Sequence, residues 1–460
     1  MENEREKLME ETVELVVSLL EEKKYAAARA ELLKYNEVDI SELLSSVMEK
    51  LDLERAVILF RTLPKDVSVE VFSYLDIDEQ VAIINAITDK EIQFILDELA
   101  FDDMIDVLEE LPANIVDKIL AKATKEERKQ INTFLNYPDN SAGSLMTPDY
   151  IELKENMNVG EALAHIKAVG MDSETVYTCY VKDHGRTLKG IVSLRTLVVT
   201  DDTVPIRELM HTDFVYVNVY DDQEEVSNTF KKYGFLAIPV VDKEHRLVGI
   251  ITVDDILDII DEENTEDIER MAGVIDSTDK EYLDQSVFQH VRARFPWLLF
   301  LMVSLMVTGM IITRFEILLS QVICLVSYLP LIMGTGGNSG SQSATLVIRG
   351  MAVGEIELRD ALKVIWKEIR ISFIIGVGLS ILNFAKIIFL DHESAAVALT
   401  VCLAILAVIM LAKTIGSMLP MLAKRMGIDP ALMASPMIAS TTDMISVITY
   451  FALASLILGI

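Results

Sequence analysis

The sequence predicts a multi-domain protein with three parts in series: an all-α right-handed helical N-terminal domain, a doubled α/β unit, and an α-helical membrane domain of five spans. Three observations carry this. Charge divides near residue 290: beyond it 12 Lys or Arg face 9 Asp or Glu, a balance of +3, so the formal total of −31 leaves −34 on the first 290 residues. A repeat occupies the middle, where LMTPDYIEL at 145 returns as LMHTDFVYV at 209 and GIVSLRTLV at 190 returns as GIITVDDIL at 249. Stretches apolar enough to cross a hydrocarbon layer of about 30 Å begin only past Arg294.

The first part, residues 1–137, repeats apolar positions three and four apart in short units such as DIDEQVAIINAI. Pro64 and Pro112 open helix-sized segments, and Asp76, Thr88, Asp102 and Thr124 stand where N-caps are expected. So acidic a half repels phosphate backbones and anionic headgroups, which argues against nucleic-acid binding and predicts cationic partners. The opening MENEREKLMEE lacks the basic and apolar run of a cleaved signal, so the N-terminus is expected in the cytosol. Cys179, Cys324 and Cys402 are far apart, without CxxC or Cys-His spacing, and predict neither a disulfide framework nor a zinc site.

The second part, residues 138–260, carries the repeat in copies at about 144–200 and 208–260. Each copy reads as strand, helix, Val/Ile-rich strand, polar hairpin (DHGRTL or DKEHRL), strand ending in Gly-Ile, and helix. Neither copy buries enough apolar area alone, so the two are expected to pack together. These residues resemble a tandem pair of CBS domains. The second copy fits, with Gly249, Thr252 and Asp255 on the Gly-apolar-apolar-Ser/Thr-x-x-Asp pattern by which such domains hold a ribose. The first has Thr196 where the carboxylate belongs. Capping of the following helix by the same residues is an equal alternative. Residues 261–290 are acidic and form the expected connecting helix to the membrane.

The third part, residues 291–460, contains five apolar stretches at roughly 296–313, 317–345, 371–390, 395–421 and 431–459. Arg292 and Arg294, the cluster from Arg349 to Arg370, and Lys424 with Arg425 fall on one side, against Arg314 and Lys386 on the other. The positive-inside rule then predicts a cytosolic N-terminal region and, five being odd, an external C-terminus. In the second stretch Pro330 precedes GTGGNSGSQS, and this helix is expected to be broken or loosely wound, its freed carbonyls in need of partners. Close packing through small residues is the competing reading.

Only Asp443 and Lys413 lie well inside these stretches. A carboxylate at membrane depth marks an ion path by default, unless Asp443 pairs with Lys413. With Thr441, Thr442, Asn338, Ser339, Ser341 and Gln342 it offers oxygen donors alone, an inventory for a hard, hydrated cation such as Mg²⁺. So few intramembrane acids equip a proton relay poorly, and six scattered His with no nucleophile and base predict no enzyme.

At full length the chain resembles the MgtE family of magnesium channels and transporters, through LMTPDY, DQEEV at 222, GIITVDDILDII, ENTEDI at 263, GTGGNSGSQSATLVIRG and DPALMASPMIASTTD. The resemblance implies a homodimer in the cell membrane with a central pore for Mg²⁺ influx. Asp443 is then its selectivity carboxylate, and Asn338, the Ala439 carbonyl, Thr442 and Gly334 lie along it. It also implies a cytosolic Mg²⁺ sensor that closes the pore, at Glu70, Asp102, Asp106, Asp222, Glu224, Asp255, Asp258, Glu263, Glu266 and Asp267. Solvated surface acids are the bland reading of any one of these. ATP would act as a modulator near Arg195, Phe235 and Thr252. Gly234 and Ser435 depart from the family pattern, where an acid and an Asn are expected. An ion-coupled transporter of another divalent cation, Mn²⁺ or Co²⁺, with nucleotide-regulated CBS domains, is the alternative.

Overall fold

The structure, a computed structural model, describes residues 2–459 apart from Asp52, Asp172, His184, residues 275–281, Asp284 and Ala434. Among the described residues ten helices open the chain: α1 (Glu2–Glu21), α2 (Tyr25–Leu32), α3 (Glu37–Lys50), α4 (Leu53–Thr62), α5 (Lys65–Ser73), α6 (Ile77–Ala86), α7 (Asp89–Glu98), α8 (Phe101–Glu110), α9 (Ala113–Lys122) and α10 (Lys125–Phe134). From α4 to α8 the buried Phe60, Phe72, Ile84, Leu96 and Leu108 recur every 12 residues, one per helix. One short helix and its link advance the chain by that step, so the same face returns to the core each time. Each helix packs on the next but one, α4 on α6, α5 on α7 and α6 on α8.

Thr88 and Thr124 build capping boxes with Glu91 and Glu127, whose carboxylates accept from the cap N–H at 2.8 Å. Asp76, Pro64 and Pro112 precede α6, α5 and α9 as expected. Asp102 is not a cap: α8 starts after Ala100, which puts Asp102 inside its first turn.

The repeat gives β1 (Tyr150–Lys154), α11 (Val159–Val169), β2 (Thr175–Lys182), β3 (Leu188–Ser193) and α12 (Leu194–Val199), then after α13 (Ile206–Leu209) β4 (Val217–Asn218), α14 (Gln223–Tyr233), β5 (Ala237–Val241), β6 (Leu247–Thr252) and α15 (Val253–Ala272). Each copy is a three-stranded sheet, its first strand parallel and its third antiparallel to the middle one. The sheets share a core of Tyr180, Leu188, Val241 and Ile250. The second copy also joins the N-terminal helices in one core, through Val226, Ile238 and Ile256. Met1–Ile260 form one compact unit and Asp261–Ile460 a second. The acidic connector is, as far as Ala272, the C-terminal half of α15; part of its remainder lies outside the described residues.

The second unit holds α16 (Val287–Arg314), α17 (Glu316–Gln321), a 3₁₀ turn (Ile323–Tyr328), α18 (Leu329–Ala352), α19 (Ala361–Phe389), α20 (Ala395–Arg425) and α21 (Ser435–Leu458). Among the described residues four helical stretches are long and apolar enough to cross a membrane, not the five expected: Val287–Arg314, Leu358–Phe389, Ala395–Arg425 and Pro430–Leu458. The difference is α18, which has 24 residues but spends its middle on Gly, Ser, Asn and Gln.

Candidate ion pathway and acidic sensor

α18 runs unbroken through its Gly and Ser run, against the expectation of a loosened helix. A Cβ on Gly336 would stand 2.5 Å from Ser446 Oγ of α21, one on Gly340 2.7 Å from Ile438 Cγ2, and one on Gly416 of α20 would collide with the Gly340 carbonyl oxygen. The small residues therefore bring three helices to backbone contact while each helix keeps its own hydrogen bonds. Pro330 and Pro436 stand in the first turns of α18 and α21, where a missing N–H leaves no gap in the ladder.

The opposite side of α18 is exposed and largely polar, with Leu346 as an exposed apolar residue toward its C-terminal end. Gly334, Asn338, Gln342, Thr345 and Arg349, three and four residues apart, share that face, while Gly336, Gly337, Ser339, Gly340 and Ser343 are buried. Asp443 is half-buried at its edge: a Cβ on Gly337 would lie 3.6 Å from Ala439 and 3.9 Å from Asp443 Oδ1. Thr442 is buried against Gly340, and its hydroxyl donates to the Ile438 and Ala439 carbonyls at 2.8 and 3.0 Å. Lys413 pairs not with Asp443 but with Glu368 of α19, an acid just short of the expected third span and so absent from the sequence reading. The Ser435 side chain lies outside the described residues.

In the first unit α8 meets the start of α15 acid to acid. Burial, and after it the charges of Asp255, Asp103 and Glu174, push Asp102 up to about 8. Burial and then Asp106, Asp255 and Glu174 push Asp103 to about 7, and burial with Glu109 and Asp255 pushes Asp106 to about 6. Asp255 is raised mainly by burial, against the hydrogen bond it accepts from Thr252 Oγ1 at 2.5 Å. Asp102 Oδ1 is buried without a hydrogen-bond partner. Asp103 and Glu174 are additions the linear pattern did not reveal, since they become neighbours of Asp255 only on folding.

Among the described residues no three His, Cys, Asp or Glu are gathered to chelate one ion. Glu70 of α5 is not among the charges that raise them, and Asp258 acts on Asp255. Asp222 caps α14, accepting from the Glu224 N–H at 3.0 Å. Gly234 closes that helix at φ +66°, a left-handed position that favours glycine, which explains the missing acid.

In the second unit burial raises Asp267, followed by Asp429 and Glu263, and burial raises Glu266 against the pull of Arg270. Arg270 binds Glu266 and reaches Asp429 at 2.6 Å. Of the nucleotide candidates, Phe235 stacks on Tyr233 at 5.3 Å, Arg195 is exposed on α12, and Thr252 is committed to Asp255. In the first copy Ser193 caps α12 and bonds Thr196 at 2.8 Å.

A bundle of apolar helices with one polar face, in a chain that also holds an acidic region with paired α/β repeats, is the architecture of a membrane transporter of cations. Residues 329–453 match the MgtE family described as a divalent cation transporter, residues 35–140 the MgtE intracellular N domain, and residues 206–262 a CBS domain. The chain is 36% identical over 448 residues to the magnesium transporter MgtE of Thermus thermophilus, with 96% of this chain and 98% of the relative covered. To that of Bacillus subtilis it is 28% identical over 422 residues, covering 89% and 93%. A crystal structure of the cytosolic domain of the Mg²⁺ channel MgtE in complex with ATP is 35% identical, covers 53% of this chain and 97% of that one, and has a TM-score of 0.49. The chain belongs to the MgtE family of magnesium transporters and is a membrane protein. The CBS match falls on the second copy, the one with the intact ribose pattern.

Proposed function

We propose that this protein conducts Mg²⁺ into the cell along the exposed face of α18 and Asp443, and that Mg²⁺ on the cytosolic side closes the path. The polar face of α18 carries the reading. At about 1.5 Å per residue its 24 residues reach across a bilayer, yet Asn338, Gln342 and Arg349 are costly against acyl chains. A second copy related by a two-fold axis would cover that face and enclose a wet path with Asp443 at its rim. With α18 counted there are five spans, and the basic residues between the second and third, and between the fourth and fifth, favour a cytosolic N-terminal region.

Asn338, the Ala439 carbonyl and Asp443 suit an ion that keeps its water. Crowded acids on α8 and α15 hold the cytosolic lobes apart when uncompensated, and the orphan Asp102 Oδ1 fits a cation's water shell. Mg²⁺ supplies the compensating charge there and at Glu263, Glu266 and Asp267. We assign ATP a modulating role at the second CBS copy, where Phe235 offers a ring face.

Flux of Mg²⁺ into liposomes is the test. Asp443→Ala is expected to conduct little, and millimolar internal Mg²⁺ to shut the natural protein. Undiminished flux in Asp443→Ala removes the path, insensitivity to internal Mg²⁺ removes the sensor, and faster Mn²⁺ or Co²⁺ flux assigns a different cargo.

A further inference from the structure

Three helices of the membrane unit meet at a buried polar group to which the transport reading gives no role. Glu368 of α19 and Lys413 of α20 are 7% and 5% exposed, and Ser343 of α18 is buried with them. Ser343 Oγ donates to Glu368 Oε2 at 2.6 Å, and Lys413 Nζ donates to Ser343 Oγ at 3.3 Å. Lys413 Nζ stands 3.9 Å from the same Glu368 oxygen. Either charge alone would be costly at membrane depth, whereas together they cancel, and the hydroxyl of α18 joins them.

The close approach at Gly336 and Gly340 and the buried Ile332, Val347 and Met351 also hold α18 against its neighbours, and the polar bridge adds a directional contact to them. Gly336, Gly337, Gly340 and Ala344 present small, similar surfaces to α20 and α21. One residue of slip turns a helix by about 100°, enough to carry Asn338 and Gln342 off the exposed face and Ser339 or Ser343 onto it. Such a turn breaks both hydrogen bonds of Ser343 and leaves Glu368 and Lys413 without their bridge. A single buried polar contact fixes register in coiled coils for the same reason.

We infer that Glu368, Ser343 and Lys413 are positioning residues that set the rotation of α18 and so hold Asn338 and Gln342 on the exposed face. This rests on reading that face as the ion path. The test uses the full chain in liposomes, with Cys179→Ser, Cys324→Ser and Cys402→Ser as background. Single cysteines are placed by Asn338→Cys, Ser339→Cys and Gln342→Cys and exposed to a membrane-impermeant methanethiosulfonate.

In the parent background positions 338 and 342 react and 339 does not. In Ser343→Ala and in Lys413→Met the contrast shrinks by about tenfold, as expected for loss of one buried hydrogen bond to a charged group. Glu368→Gln combined with Lys413→Met leaves no lone charge and loses the contrast too, which separates rotation from misfolding. Ser343→Ala removes only a hydroxyl and serves where the charge variants do not fold. Unreactive 338 and 342 in the parent would overturn the path reading and the inference with it. Reactive parents with an unchanged pattern in all three variants would overturn the inference alone.

Discussion

Asp102→Asn probes the proposed sensor at an acid whose Oδ1 folding leaves without a hydrogen-bond partner. Its Oδ1 is buried and unpaired, and burial with the neighbouring charges moves the carboxyl from 3.8 to about 8. An unfolded chain ionises it freely at pH 7, so folding α8 against α15 costs about 4 kcal/mol at this one group when no cation is present. Asparagine removes that charge and keeps the shape. Even a quarter of the figure, about 1 kcal/mol, changes the population of locally opened helix about fivefold. Amide hydrogen exchange of α8 in the full-length protein reads this directly, in chelator and in millimolar Mg²⁺. The substitution is expected to slow exchange in chelator by about fivefold or more and to shrink the protection that Mg²⁺ adds. Faster exchange in chelator, or a Mg²⁺ increment as large as in the natural protein, would refute the assignment of Asp102 as a cation-compensated acid.

Without divalent cations, Asp102, Asp103 and Asp106 titrate near 8, 7 and 6 in the fold and near 3.8 in the unfolded chain. The folded form therefore binds more protons through that window and its stability falls as pH rises from about 4 to 8, so α8 exchange, corrected for its intrinsic rate, should quicken; a flat profile would contradict the shifts. Gly416→Ala presses a methyl on the Gly340 carbonyl and should cost about 1–3 kcal/mol with loss of flux, whereas Gly378→Ala, with nothing within 4 Å, should leave the melting midpoint unchanged or raise it. Equal midpoints for the two would show that the α18–α20 crossing yields. Arg270→Gln removes the contacts to Glu266 and Asp429, which are partly exposed and worth about 0.2–1 kcal/mol. Half-inhibition of flux should move to lower internal Mg²⁺, up to about fivefold, because Arg270 no longer competes with the cation for those acids, and a shift to higher Mg²⁺ would refute that competition.

The three-part plan, the doubled α/β unit and the acid on α21 were legible in the sequence because they depend on period, repetition and composition, which are local. Thr88 and Thr124 cap their helices because a cap needs only the next three residues. The same local logic failed at Asp102, where two positions decide between a cap and a buried acid inside the first turn, and at the Gly and Ser run of α18. Glycine weakens an isolated helix, but close contact with the Gly416 backbone and the Ile438 side chain rewards its small size and keeps the helix whole. Partnership was decided by the tertiary structure. Lys413 lies 70 residues from Ser343, and Asp103 and Glu174 are far in sequence from Asp255, so only packing set which acid has a counter-charge and which has none. The energy of a charge depends on what surrounds it within a few ångströms, and a linear sequence does not contain that distance.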